Sequence, residues 1–495
     1  MVIILYRRWR NKGLKSLELK KYNTSAIMAA LLICGFFGYL SETAINIAMT
    51  NLMEVFQISA ATVQWLTTGY MLTIGILTPI SAMLLQMFST RKLFTVSLIS
   101  LIVGTLIAAL ALNFEMLMFS RILQAVGMST LIPLLFNTVL VIYPQNKRGA
   151  AMGLVGLVTM FAPALGPTFG GLVVGYLTWQ YIFWFSLPFL VVGLLMGLKY
   201  LENVTDVKKQ RIDLLSVLLS TIGFGGVVFG FSQVGEGSEG WGNPVVITSI
   251  IVGLIALVLF VLRQNVMSSP MMNLSVFKYP MYLVGLILVA LCPMIFMTTL
   301  IILPMFLQTG AGLSPFTAGL MLLPGSALFG LLSPRIGHLF DKHGPKWLVI
   351  PGFVIVLVML WFFTNLSPAS SIAFMVAVHI GLSIGTALIL MPAQTHALNQ
   401  LPPDLYPHGT AVINTLPQVT GAIGIAVAVS ILMGGMDKYL HGFSALSKQV
   451  EMANAMSAGA YNVFVYMIIL ALIGLVTAFF IRRSVVNRKE VHSQH

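Results

Sequence analysis

Fourteen apolar runs, each long enough to cross a bilayer, divide most of the chain. A spanning helix needs roughly 20 apolar residues, and such runs occur at about 26–48, 62–84, 94–112, 116–142, 149–175, 179–199, 213–234, 244–262, 282–307, 316–336, 347–364, 371–395, 408–434 and 460–481. Hydrophobic residues make up 58% of the 495 positions, and charged residues only 8%. Because no soluble domain needs so much apolar surface, the sequence predicts an all-α polytopic membrane protein.

The basic residues agree with this count, because they cluster between the runs on one face. Both tails and alternate loops hold 24 of the 27 lysines and arginines, whereas the other face has only Lys438 and Lys448. Since basic loops stay in the cytoplasm, we expect an even number of spans and both termini in the cytoplasm. The loop near 397–407 has no basic residue, so the twelfth and thirteenth spans rest on hydropathy alone.

Composition also argues against several classes of function. The net charge of +13 is spread over short clusters, which does not favour a nucleic-acid partner. No phosphate-binding Gly-x-x-x-x-Gly-Lys string occurs, no nucleophile and base set is evident, and the soluble loops are short. Cys34 and Cys292 fall in apolar runs, so neither a disulfide framework nor a metal site is supported. We expect no enzymatic activity, no cofactor and no metal.

An internal repeat relates the two halves of the chain. The string Pro79, Ala82, Leu84, Gln86, Ser89 and Arg91 aligns at a constant offset of 255 with Pro334, Gly337, Leu339, Asp341, Gly344 and Lys346. Parallel repeats of this kind build two-bundle transporters, with their sites between the halves. We predict a basic cytoplasmic segment at 1–25, a six-helix bundle at 26–200, an inserted helix pair at 201–265, a second bundle at 266–483 and a cytoplasmic tail at 484–495, in a monomer. The first segment fits either an interfacial helix or a disordered tail.

Three residues that are charged or are histidines lie well inside the apolar runs, away from their ends. Glu42 is a lone carboxylate in the first run, Arg121 lies in the fourth and His379 in the twelfth. An ionisable group at membrane depth is by default a functional hypothesis. A carboxylic acid that is neutral when dry and charged when hydrated suits a proton-driven pump. We predict that Glu42 and Arg121 couple proton movement, whereas a lone histidine such as His379 is more often hydrogen-bonded packing.

Other residues in the runs could bind cargo. Many methionines (29) and phenylalanines (31) would suit a wide pocket for amphipathic small molecules, although most of them must face lipid or core. Polar side chains in the runs could line such a pocket or could simply bond neighbouring helices. The predicted substrate-binding residues are Asn46, Tyr70, Gln124, Asn137, Phe161 and Phe296.

Several motifs together resemble those of the fourteen-helix drug:proton antiporters of the major facilitator superfamily. They are SETAINIAMTNL in the first run, APALGPTFGG in the fifth, WQYIFWFSLP in the sixth and LPMFLQTGAGLSPFTAGLMLLPG from the ninth to the tenth. EGWGNPVVI and SPRIGHLFDKHGPKWLV are similar to bacterial lincomycin-resistance-type exporters. The resemblance covers about Ala26 to Arg483 and departs at Glu42, where aspartate is usual, and at Ala125, where glycine is usual.

The resemblance implies roles for two further groups of residues. The fifth-run motif would help to seal one side against proton leak, and small residues there would also let a helix approach closely; its residues are Pro163, Gly166, Pro167, Gly170 and Gly171. The cytoplasmic loop motif would hold the outward-open state through Arg91, Gly337, Asp341, Lys342 and Gly344. In its first copy Gln86 replaces the usual acid, so we expect Asp341 to carry more of this role.

With this resemblance, the sequence predicts proton-coupled export of amphipathic toxic compounds across a bacterial cytoplasmic membrane. Two other cargo classes stay open. An exporter of free fatty acids would need Arg121 more than Glu42, and a nutrient importer would not need the antiporter-like string. A membrane receptor would need a larger soluble domain than the loop at about 435–459 offers.

Overall fold

The computed structural model describes residues 23–58, 60–203, 213–234, 240–267, 270–313, 315–368, 370–440 and 448–482. Within these ranges fourteen helices are long and apolar enough to cross a membrane, which confirms the predicted fold class. We label them α1 to α14, in chain order: Thr24–Ala44, Ala60–Met87, Thr90–Ala109, Phe114–Ile142, Arg148–Tyr176, Tyr181–Tyr200, Leu214–Gln233, Pro244–Val266, Pro280–Met305, Pro315–His343, Lys346–Thr364, Ile372–Asn399, Tyr406–Leu440 and Lys448–Phe479. Most of the predicted segment 1–25 and the tail 484–495 lie outside the described residues.

Several helices begin where a side chain caps the first turn. The amide oxygen of Asn23 accepts a hydrogen bond from the Ala26 N–H at 3.1 Å, and that of Asn113 accepts from the Met116 N–H at 2.8 Å. Such caps satisfy amide groups that have no partner within the helix. These boundaries are therefore encoded locally and agree with the predicted runs to within a few residues.

The expected external loop at 435–459 is mostly helix. The helix α13 continues to Leu440, and α14 begins at Lys448 rather than near residue 460. Residues 448–459 mix alanine and methionine with polar residues, so their hydropathy falls below that of a span. Alanine and methionine nevertheless favour helix, which extends α14 beyond the apolar run.

Buried side chains form separate cores whose distribution differs between the two ends of the molecule. We call the end that carries Arg91, Lys147 and Lys342 the basic end. One core joins the first bundle, α1–α6, to Tyr282 of α9 and to the stretch from Ala397 to Ile413 near the basic end. Another belongs to the second bundle, α9–α14, and a third lies towards the opposite end within the first bundle alone. The bundles therefore share a core at the basic end and have separate cores at the opposite end.

The helices α7 and α8 form an antiparallel pair beside both bundles. Glycines of the two helices allow close contact, and α7 packs against α2 of the first bundle and α13 of the second. The Arg263 guanidinium donates to both carboxylate oxygens of Asp213 at 2.7 and 2.8 Å, which holds the pKa of Asp213 well below its usual range. This bidentate pair fixes the two helices at the basic end.

Candidate functional site

Glu42 lies where α1 loosens towards the end opposite the basic end. The Ser41 hydroxyl donates to the Gly38 carbonyl at 3.0 Å, and the Thr43 hydroxyl donates to the Tyr39 carbonyl at 3.1 Å. Back-bonding of this kind bends helices, and beyond Ala44 the chain continues as a 3₁₀ turn to Ala48. Glu42 is half-buried, and its Oε2 atom is buried without a hydrogen-bond partner.

Arg121 lies beside Glu42 with its side chain completely buried. Its Nε donates to the Leu66 carbonyl at 3.3 Å, its Nη1 to Gln124 Oε1 at 2.9 Å and its Nη2 to the Glu42 main-chain carbonyl at 3.5 Å. The described contacts include no direct ion pair between the guanidinium and the Glu42 carboxylate. Most of the donors of Arg121 are thus held by other groups, and the carboxylate keeps an unpaired oxygen.

Tyr70 completes this cluster. Its ring lies under the Arg121 guanidinium, 4.2 Å from the centroid, which is a cation–π geometry. Its hydroxyl lies close to the Glu42 carboxyl group. Gln124 is positioned from its other side, because its Nε2 donates to Thr105 Oγ1 at 3.1 Å. We call Glu42, Tyr70, Arg121 and Gln124 the Glu42 cluster.

The structure separates the residues that were predicted to bind substrate. Tyr70 and Gln124 are buried within the Glu42 cluster and contact Arg121. Asn46 is exposed, and its side chain accepts a hydrogen bond from Thr67 at 2.8 Å. Asn137 is buried with an unpartnered Oδ1.

The two predicted aromatic residues lie in different places. Phe161 is half-buried on α5, beside Phe36 and against Gly330 of α10, where the two bundles meet. Phe296 is only 5% exposed and packs against Phe329 in the core of the second bundle. Of the two, Phe161 therefore lies at the interface between the bundles, and Phe296 does not.

The antiporter-like motif of α5 packs against the helix that carries Glu42. A Cβ atom on Gly166 would collide with Thr43, and one on Gly170 would collide with the Ala44 carbonyl. Gly171 has only an ordinary contact, 3.9 Å from Ile47. Pro163 and Pro167 lie within the continuous helix, Pro163 between these contacts and the α10 interface and Pro167 between the two glycines. Two of the predicted glycines thus hold α5 directly behind Glu42.

At the basic end, Asp341 of α10 binds the first turn of α5 across the bundle interface. Its Oδ1 accepts from the Gly149 N–H and its Oδ2 from the Ala150 N–H, both at 2.8 Å. A carboxylate at a helix N-terminus satisfies free amides and interacts favourably with the helix dipole. Gly337 permits the approach, since a Cβ there would collide with the Gly149 carbonyl. We call this contact the Asp341 latch.

The end of α10 explains the last residues of the loop motif. Gly344 has a positive φ of 83°, which favours glycine, and its N–H donates to the Phe340 carbonyl at 2.8 Å. Lys342 is exposed. The glycine ends the helix just after the turn that carries Asp341.

Arg148 is a residue of the bundle interface that sequence reasoning missed, because it was counted only as a topology charge. It is 7% exposed, and its guanidinium donates to Asn399 Oδ1 at 2.9 Å and to the Tyr406 hydroxyl at 3.1 Å in the second bundle. It also donates to the Tyr143 and Leu140 carbonyls within the first bundle. Its position as the first residue of α5, beside exposed Lys147, gave no signal of this burial.

Comparison with known proteins shows the family to which this architecture belongs. A sequence model of the Major Facilitator Superfamily matches residues 31–425. The chain belongs to this superfamily. It is 55% identical to the lincomycin resistance protein LmrB of Bacillus subtilis over 94% of the chain and 98% of that protein. It is 53% identical to the LmrB of Listeria monocytogenes over the same shares. The human organic anion transporter MFSD10 (TETRAN) has the same fold, with a TM-score of 0.62, 14% identity, and coverage of 92% of this chain and 100% of that one.

Membership of the Major Facilitator Superfamily identifies the chain as a multi-pass membrane transporter.

The two copies of the loop motif make different contacts. In the second copy Asp341 crosses to the other bundle. In the first copy the Gln86 side chain donates to the Ala82 carbonyl of its own helix at 2.9 Å. Arg91 contacts the Leu198 carbonyl and Asn203, both at the end of α6. Among the described contacts of these residues, only the second copy joins the bundles.

Proposed function

We propose that this protein exports amphipathic drugs across the bacterial cytoplasmic membrane in exchange for protons, by alternating access. The names of its bacterial relatives support a role in drug resistance, since both are lincomycin resistance proteins. The superfamily supports transport between two bundles. We place both termini and the basic end in the cytoplasm, because of the distribution of basic residues.

The observation that carries the proton coupling is the unpaired Oε2 of Glu42. The Tyr70 hydroxyl lies close to the carboxyl group, and Oε2 is buried with no hydrogen-bond donor. A carboxylate in this setting is disfavoured while dry and favoured once water reaches it. A proton on Oε2 removes the charge and supplies a donor. Glu42 is therefore suited to bind and release one proton as the site is wetted and dried.

The closed basic end suggests how the cycle runs. The Asp341 latch and Arg148 join the bundles in the cytoplasmic half, which leaves the external side as the one that opens to Glu42 in this state. A proton from outside would bind Glu42, weaken its hold on cargo and let the cargo leave. The bundles would then rock, and the inward-facing site would release the proton. A potential of 100 mV contributes about 2.3 kcal/mol for each charge, and one pH unit about 1.4.

Arg121 bears on the choice of cargo. An anionic cargo such as a free fatty acid would need a cation that faces the pathway. The Arg121 guanidinium is buried and bound to Leu66, Gln124 and Tyr70. The geometry therefore favours neutral or cationic amphipathic cargo over fatty acids.

The test is drug-driven proton movement in reconstituted vesicles, with lincomycin, ethidium and a fatty acid as probes. We expect Glu42→Gln to abolish proton movement and drug resistance while the protein stays folded. Glu42→Asp is the matched control, because it keeps a carboxylate and should retain part of the activity. Full resistance in cells that carry Glu42→Gln would refute the coupling role of this residue.

A further inference from the structure

A groove lies beside the Asp341 latch, between the start of α5 and the end of α10. Its volume is about 590 Å³, and its lining includes Asn146, Lys147, Leu154, His338, Asp341 and Lys342. Pockets that hold small ligands have volumes of about 300–1,000 Å³. We call this feature the α5–α10 groove. The proposed transport cycle does not use it, although both bundles contribute to its walls.

Basic side chains from the two bundles face each other across the α5–α10 groove. Lys147 lies immediately before α5, whereas His338 and Lys342 lie one turn apart on the same face of α10. All three side chains are exposed. Within the part of the chain that the structure describes, neither lysine belongs to an ion pair. The two ammonium groups are therefore available to an anion from outside the protein.

The one carboxylate in the groove does not neutralise these lysines, because it is already bound to α5. Both oxygens of Asp341 accept main-chain N–H bonds at 2.8 Å, from Gly149 and Ala150. Two lysines against one carboxylate leave an excess of one positive charge, and lysine is a common phosphate-binding side chain. The polar part of the groove therefore fits a phosphate group.

Towards the centre of the bilayer the same two helix faces become apolar. Leu154 follows Lys147 by about two turns along α5, and Leu331 precedes His338 by two turns along α10. These leucines are 38% and 50% exposed, and both helices are long and apolar enough to cross the membrane. A phosphate held by the lysines would thus lie at the level of the headgroups, with apolar surface beneath it for acyl chains. This arrangement favours a lipid over free phosphate.

The internal repeat shows that the cations belong to only one of the two bundle contacts. The offset of 255 pairs His338 with Met83 and Lys342 with Met87. The helix α2, which carries these methionines, packs against α13, and the connection that precedes α13 has no lysine or arginine between 397 and 407. A lipid phosphate therefore has matching cations at the α5–α10 contact and not at the repeat-related one.

We propose that the α5–α10 groove binds the headgroup of an anionic phospholipid. The phosphodiester lies between Lys147 and Lys342, with the Asn146 amide and the His338 ring as further hydrogen-bond donors. The acyl chains lie along Leu154 and Leu331. Binding depends neither on the exported cargo nor on proton coupling, and no covalent bond changes. The Asp341 latch forms without the lipid, since its hydrogen bonds are all made to the α5 backbone.

Native mass spectrometry of the full-length protein in detergent tests this proposal. Dioleoyl phosphatidylglycerol is titrated into the protein, with dioleoyl phosphatidylcholine as the zwitterionic comparison. Each lysine near an anionic lipid surface strengthens binding by a factor of about five. We expect the double variant Lys147→Gln with Lys342→Gln to bind the first phosphatidylglycerol roughly 25-fold more weakly than the wild type. Its affinity for phosphatidylcholine should stay the same.

Two further double variants separate this site from a general effect of charge. Lys199→Gln with Lys278→Gln is the matched control, because it removes two exposed lysines elsewhere at the basic end and should leave the first binding constant unchanged. Lys147→Arg with Lys342→Arg keeps both charges and should retain binding. The melting temperature in detergent shows whether each variant is folded.

Three results would overturn the proposal. The first is an equal loss of phosphatidylglycerol binding in the groove variant and in the control. The second is equal affinity of the wild type for the two lipids. The third is binding of inorganic phosphate that displaces phosphatidylglycerol and disappears in the groove variant, which would make this a site for free phosphate. None of these measurements involves transport, so a failure of the proposed export function would be seen separately, in the vesicle assay.

Discussion

Glu42 is positioned by two glycines of α5. Gly166 and Gly170 allow α5 to lie against Thr43 and Ala44, directly beyond the carboxylate. The loosened end of α1 is thereby held from behind while its polar side faces Tyr70 and Arg121. At the scale of single residues, the site therefore depends on two positions without a Cβ atom as well as on its polar side chains.

Gly170→Ala should damage transport without touching any charge. Its Cβ would collide with main-chain atoms of Ala44, which cannot move aside as a flexible side chain would. Overpacking of this kind costs about 1–3 kcal/mol, so we expect a lower melting temperature and a large loss of ethidium export. Gly171→Ala is the control, because its Cβ would meet Ile47 only at 3.9 Å. Equal effects of the two substitutions would contradict this account.

At the scale of helices, the two bundles are joined asymmetrically. Asp341 of α10 binds the N-terminus of α5, whereas the repeat-related Gln86 bonds within its own helix. Glycines at 149 and 337 bring the two backbones into contact. The balance between the two open states of the transporter should therefore depend mainly on the α5–α10 contact.

Asp341→Ala should shift the protein towards the state that is open at the basic end. Hydrogen bonds to a charged group contribute about 1.5–3 kcal/mol, which corresponds to a population change of roughly 10- to 100-fold. Ser333 is buried at this interface, against Gly153 and Gly156. A cysteine at position 333, in a background without Cys34 and Cys292, should react faster with a soluble maleimide in the Asp341→Ala variant.

The neighbouring Lys342→Gln is the control for this measurement. Lys342 is exposed, so its substitution should leave the labelling rate unchanged. A rate in Asp341→Ala equal to that of the parent would show that the carboxylate does not hold the bundles together.

At the scale of the whole molecule, the cores show which end is closed. The first bundle shares a buried core with the α12–α13 connection at the basic end, while Ala44, Leu66 and Trp179 form a core of their own towards the opposite end. At the opposite end Gly175 of α5 and Gly319 of α10 have no atom within 4 Å of a Cβ position. The structure thus corresponds to one half of an alternating-access cycle.

Cross-linking of cysteine pairs should reveal this state in the membrane. Gln145 and Asn399 are in contact across the bundles, with Gln145 Nε2 donating to the Asn399 carbonyl at 3.5 Å. The pair Gln145→Cys and Asn399→Cys should be joined by a short reversible thiol cross-linker, and ethidium export should stop until reduction. The pair Gly175→Cys and Gly319→Cys should remain unlinked. Equal cross-linking of both pairs would contradict a closed basic end.

The sequence alone determined the number of spans and most of their boundaries, because the bilayer requires long apolar runs and each run can be counted along the chain. It also singled out Glu42 and Arg121, since charged residues are rare in such runs, and Asp341 through the repeated loop motif. The hydropathy of residues 448–459 is too low to predict the first turns of α14, which the helix propensity of alanine and methionine explains.

Only the tertiary structure decided which polar groups meet. The rotation and tilt of each helix are set by packing against its neighbours, and a run that is apolar on all sides does not specify them. For this reason Tyr70 and Gln124, which were predicted to bind cargo, lie in contact with Arg121. For the same reason Arg148 joins the bundles. The close contact between Gly337 and Gly149 likewise depends on two distant helices that pack together, which no spacing along the chain encodes.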